Sequence, residues 1–225
     1  MLSVDAGGDH PVVRDIGQTS GPQEQQLTPS SSPGIPQQHR FVVHGLPIRT
    51  PSLVLRHFVL DDAEPILPLN AEPSTKHWLP SHVYADLPAA KAALAHLISC
   101  YSEPGHPRRG PYVLAVERNR TGRLLGHVGF SPLDDEVEVS YAIAESERGQ
   151  GFGAEALFHG CEWASKVFGL PSFLAVTATA NVASRHTLGR ASFIHETDEV
   201  MRFQGARRPV SRYIWRAHTG RDGAA

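Results

Sequence analysis

Glu136, Glu138 and Ser140 alternate along a short run with Val137, Val139, Tyr141 and Ile143. The run leads through Arg148-Gly149-Gln150-Gly151-Phe152-Gly153 to Ala154, Leu157, Cys161, Ala164 and Phe168, which recur at steps of three and four. Carboxylates on one polar face can take protons from a reacting group. A glycine turn that opens a helix can hold a phosphate, because bare backbone N–H groups meet the positive end of the helix dipole. His127, His159 and His186 add groups that titrate near neutrality.

These side chains need a strand, a turn and a helix to position them. The period of two over 136–143 predicts a strand with one apolar face, and the steps of three and four predict an amphipathic helix on a sheet. Gly149, Gly151 and Ala154 also satisfy a dinucleotide pattern, but that pattern needs the turn directly after a strand and a carboxylate at the end of the next one. Here Glu145-Ser146-Glu147-Arg148 intervenes, and the next predicted strand, 173–179, is followed by Asn181 with no carboxylate.

A different resemblance accounts for more of the chain. Arg148-x-x-Gly151-x-Gly153, after a strand and before a helix, resembles the Arg/Gln-x-x-Gly-x-Gly/Ala acyl-CoA loop of GNAT acetyltransferases. Asn181-Val182-Ala183-Ser184, an apolar helix and Phe193 resemble the Asn-x-x-Ser…Gly-Phe signature of the RimJ/RimL-like branch. The resemblance extends from Ser52 to His218. It implies an acetyl-CoA-dependent N-acetyltransferase acting on a primary amine, a small molecule or a protein N-terminus, by direct attack in a ternary complex. No metal is required. The strand before the glycine turn and the strand after the helix would run parallel and splay. The cleft between them would take acetyl-CoA along Val139, Tyr141, Ile143, Arg148, Gly149, Gln150, Gly151, Phe152, Gly153 and Ala154, with Asn181 on the pantetheine arm and Ser184 near the sulfur. The plain alternative, which could hold at the same time, is that Asn181 caps the helix that follows it.

Amine acetylation must remove a proton from the ammonium, stabilise an oxyanion and release a thiolate. Glu138 is the candidate base, with Glu136 and His127 as substitutes, and a solvent-facing Glu138 as the plain alternative. His159 falls in the amphipathic helix and reads as surface. Ser184 or water would protonate the thiolate. Trp78, His127, Glu136 and Ser140 are candidates for the acceptor pocket, although Trp78 could be an ordinary core residue. Three positions depart from the family pattern: Ser192 for glycine, His186 for arginine, and Gly189 where some members carry a tyrosine acid. Serine tolerates positive φ poorly, so Ser192 predicts a different turn after the helix.

The remaining elements follow in order. A strand is predicted at 53–58, a helix from a cap at Asp61 or Asp62 to about Asn70, and a helix over 89–101. A loop carrying Arg108 and Arg109 follows, then a hairpin of 112–117 and 124–130. A final hairpin of 193–203 and 210–216 would turn at Gly205–Pro209. The expected fold is α/β: a mixed, mostly antiparallel sheet of about seven strands with one splayed parallel pair and helices on both faces.

The chain has 225 residues, a net charge of −2 and a pI near 6.7, with no electrostatic footprint for nucleic acid. No apolar run approaches the roughly 18 residues of a membrane span. No secretory signal is recognisable, and Cys100 and Cys161 read as reduced core thiols of a cytoplasmic protein, monomer or homodimer. Residues 1–40 are polar and rich in Gln, Ser, Pro and Gly, and read as a disordered tail. The domain would span 41–218, with a disordered terminus at 219–225. A non-catalytic acyl-CoA-binding sensor or scaffold is the alternative function.

Overall fold

The structure, a computed structural model, describes residues 45–103 and 105–217. The tail expected over 1–40 and the terminus expected over 219–225 lie outside them.

Among the described residues, eight strands form one sheet, one more than expected. They are β1 (Ile48–Arg49), β2 (Leu53–His57), β3 (Tyr112–Arg118), β4 (Leu124–Leu133), β5 (Glu136–Ile143), β6 (Ser172–Ala178), β7 (Ile194–Phe203) and β8 (Ala206–Arg216), in the order β1-β2-β3-β4-β5-β6-β8-β7. The addition, β1, is two residues long and too short to show a period. Every neighbouring pair is antiparallel except β5–β6. That parallel pair is in register only at Glu138 opposite Leu174. Beyond Glu138 the two strands part, while β5 stays paired with β4 as far as Ile143 opposite Gly126.

Five α-helices among the described residues cover the sheet: α1 (Ala63–Asn70), α2 (Pro73–Trp78), α3 (Leu87–Ser99), α4 (Phe152–Phe168) and α5 (Val182–Arg190). The alternation of β5 sends Val137, Val139 and Ile143 into one core with Leu157, Cys161 and Ala164 of α4. A smaller cluster on the other face joins Ile66 of α1 and Leu94 of α3 to Val113 and Ala115 of β3. The polar residues of β5 face this second layer, because cross-strand neighbours share a face: Ala115 pairs with His127, and His127 with Ala142. Cys100 and Cys161 are free and buried.

Three local expectations need correction. Asp62 does not cap α1 with its side chain. Its carboxylate receives both terminal nitrogens of Arg56 at 2.7 Å and the Val59 N–H at 2.9 Å, since a charged bidentate donor outcompetes a single neutral N–H. The last hairpin turns at Gln204 and Gly205, not over 205–209. Both have positive φ, +51° and +78°, as a two-residue turn matched to strand twist requires, and Phe203 pairs directly with Ala206. Ser192 takes the left-handed conformation, φ +67°, that was expected to need glycine. The adjacent Phe193 is buried, and its N–H donates to the Leu188 carbonyl at 3.0 Å, which together hold the turn.

Candidate active site

A cleft of about 410 Å³ opens where β5 and β6 part. One side is the start of α4. Gly149 and Gly151 have φ of +77° and +88°, a region that only glycine enters without strain, and Gly151 is the residue before the first turn of α4. No side chain caps that turn. Open space lies where a Gly149 side chain would stand, whereas a β-carbon at Gly151 would sit 3.5 Å from a terminal nitrogen of Arg190. Bare N–H groups, a helix N-terminus and a guanidinium thus face the same mouth. Gly153 has a different reason to be glycine: a β-carbon there would press at 3.1 Å on both Thr187 and the Tyr141 ring.

At the far end of β6, Asn181 caps α5 by accepting the Ser184 N–H at 3.1 Å. Asn181 and Ser184 both line the cleft, as do Val139, Tyr141, Ile143, Arg148, Phe152 and Ala154. The Arg148 side chain is partly committed, donating through Nε to the Ile143 carbonyl at 2.8 Å.

Glu138 enters the cleft from the floor, at the last point where β5 and β6 are in register. Burial, which penalises the charged form, pushes its carboxyl up to about 7. No positive side chain is hydrogen-bonded to it among the described residues. Ser140, its neighbour on the same face, has a buried hydroxyl with no partner among them.

Trp78 at the end of α2 and Phe203 at the β7–β8 turn form part of the opposite wall. Gln204 ties them together by donating through Nε2 to the Trp78 carbonyl. Thr75, Ser81, His82, Phe203 and Gln204 also line this wall, and none was identified from sequence. The Gln204–Trp78 contact spans 126 positions of chain, and no local pattern encodes it.

Four candidates stand outside the cleft. Glu136 is exposed and lies 3.7 Å from Arg212, at the edge where β5 begins. Gln150 is exposed and donates to Glu147 at 3.3 Å. His159 is half-buried on α4, edge-on to Phe158. His127 is fully buried behind the cleft, in an adjoining cavity, and burial lowers its pKa to about 3. Such a histidine stays neutral at any working pH. His186 lines the cleft mouth but is exposed. No cluster of three or more His, Cys, Asp or Glu suited to a metal occurs among the described residues, and none of their helices is long and apolar enough to cross a membrane.

The fold has solved counterparts. The chain is similar to the RimL ribosomal L7/L12 alpha-N-protein acetyltransferase in complex with coenzyme A, at 15% identity and a TM-score of 0.64, over 75% of this chain and 96% of that one. It is similar to a ribosomal-protein-S5-alanine acetyltransferase from Vibrio fischeri, at 15% identity and a TM-score of 0.63, over 76% and 96%. It is also similar to the microcin C7 self-immunity acetyltransferase MccE in complex with acetyl-CoA and AMP, at 14% identity and a TM-score of 0.62, over 74% and 93%. No curated protein matches the sequence. The acetyltransferase (GNAT) domain model matches residues 52–194, most of the chain, and the chain therefore belongs to the GNAT acetyltransferase family.

Proposed function

We propose that the protein is an acetyl-CoA-dependent N-acetyltransferase of the RimJ/RimL-like type, moving an acetyl group to a primary amine in a ternary complex. The observation that carries this reading is Glu138: a carboxyl whose pKa is raised to about 7, set at the splay point of the parallel pair in one cleft with the glycine turn. A base is most effective when its pKa lies near the working pH.

The residues present fit acetyl-CoA. The pyrophosphate would meet the N–H groups of the Gly149–Gly151 turn, with Arg190 beside it. The pantetheine arm would add to the β5 edge that β6 leaves open past Glu138, as an extra strand does. Asn181 spends its carbonyl oxygen on the α5 cap, which leaves its amide N–H groups for that arm. Bound there, acetyl-CoA supplies an activated acyl group.

Glu138 takes the ammonium proton, directly or through one water. A backbone N–H on the open β5 edge holds the developing oxyanion. Ser184, relaying a proton from water, or water itself, would protonate the departing sulfur, in a chain with Gly189 where some members of the family carry a tyrosine. Turnover tests the assignment. Protein, acetyl-CoA and a panel of small amines and peptides should release free thiol in proportion to N-acetylated product detected by mass spectrometry. Acetyl-CoA binding with no product from any amine would favour a sensor or scaffold.

A further inference from the structure

Behind the cleft is a second cavity, about 80 Å³, between the sheet and helices α1 and α3. Leu94 and Leu97 of α3 and Val113 of β3 contribute apolar walls, and Asn70, Tyr84, His96 and His127 contribute polar ones. Ser81 and His82 line both spaces and so form the partition between them. Among the described lining residues there is no Asp, Glu, Lys or Arg.

His127 is the anomaly. It is fully buried, and its Nε2 has no hydrogen-bond partner among the described residues. The ring of His82 is near, 5.0 Å between centroids, but tilted by 39° and not hydrogen-bonded. A buried polar atom left unpaired is costly, and a native site that carries one calls for a partner. Burial lowers His127 to about 3 and lowers His82 as well, so neither ring suits an anion.

The sheet connects this cavity to Glu138. Along β5 the same face carries Glu138, Ser140 and Ala142, opposite Ser131, Gly129 and His127 of β4. The floor between Glu138 and His127 therefore bears only small side chains, over about 13 Å at the rise of a strand.

We propose that the second cavity is a distal subsite for the acceptor, which places its amine at Glu138 and an uncharged, largely apolar arm past His82, ending in a hydroxyl on His127 Nε2. A hydroxyl both donates and accepts, so it satisfies either tautomer of a neutral imidazole. The proposal rests on the N-acetyltransferase reading, and the test separates the two.

The full chain, saturated with CoA so that no acetyl transfer occurs, is titrated with α,ω-amino alcohols of increasing length and with the matched n-alkylamines. The ring ¹⁵N resonances of His127 are followed by NMR. The Nε2 resonance should move saturably with the amino alcohols of one intermediate length and not with the alkylamines. Ala93→Phe, which fills the cavity from a half-buried position on α3, should abolish the shift and leave CoA affinity unchanged. With acetyl-CoA, kcat/KM should peak at the same length and exceed that of the matched alkylamine by roughly tenfold or more, the discrimination expected when a buried polar atom must otherwise go unpaired. An Nε2 resonance that no amino alcohol moves, or a shift that survives Ala93→Phe, overturns the subsite. So do alkylamines that turn over as fast as amino alcohols at every length. A specific shift without turnover of any amine leaves the cavity as a ligand site and removes the transferase reading instead.

Discussion

Glu138 is the residue on which structure and chemistry pull in opposite directions. Its folded pKa of about 7 exceeds its ordinary value of 4.5 because burial disfavours the anion. Between those two values the folded chain keeps a proton that the unfolded chain has lost, so stability falls as pH rises through that window and levels off above it. Glu138→Gln removes the titration. Its stability relative to wild type should climb by up to about 3 kcal/mol between pH 4 and pH 8, read from urea midpoints at each pH. A difference that stays flat with pH would mean that the carboxylate is well solvated. The alternation of 136–143 was enough to put Glu138 on a polar face. Its raised pKa was not legible, because the cleft it enters is closed partly by α2 and the β7–β8 turn, which no local pattern links to β5. The same blindness kept Glu136 and His127 as substitutes for it. Glu136 sits at the exposed end of β5 and His127 behind the partition at His82.

At the scale of elements, the strand–turn–helix of β5 and α4 and the cap of α5 were readable because each is local. Period, glycine and Asn181 lie within a few residues of what they determine. Gly151→Val forces a β-branched side chain into φ +88° beside Arg190. It should weaken acetyl-CoA binding at least tenfold by calorimetry, since phosphate approach depends on the bare N–H groups. Wild-type affinity in a variant that retains its circular dichroism would remove the phosphate role of the turn. Ser192 was misjudged because its strain is held by tertiary packing of Phe193, which overrides residue preference. A left-handed serine costs about 1–2 kcal/mol that glycine avoids, partly offset by the greater freedom of glycine in the unfolded chain. Ser192→Gly should therefore raise stability by about 0.5–1 kcal/mol, roughly 2 °C in Tm. A lower melting temperature would show that the Ser192 side chain contributes more than its conformation costs.

Across the molecule, the sheet divides the labour. One face carries α4 and α5 and presents the glycine turn, while the other carries α1, α2 and α3 and forms the wall opposite Glu138. A single registered pair between β5 and β6 lets the two strands part and creates the cleft that joins these faces. The sequence order of strands and helices made this architecture legible. The wall opposite Glu138 was legible only at Trp78, because it also depends on Gln204 meeting Trp78 from the other end of the chain. The central claim is that Glu138 takes the acceptor proton during transfer, and acetyl-CoA turnover by Glu138→Gln as a function of pH tests it most directly. The account predicts acetyl-CoA affinity within about twofold of wild type and turnover lower by roughly 10²–10⁴ at pH 7. The deficit should shrink toward pH 10, where an alkyl amine with a pKa of about 10.4 is increasingly neutral and needs no base. Near wild-type turnover at pH 7, or an equal loss at every pH, would contradict it.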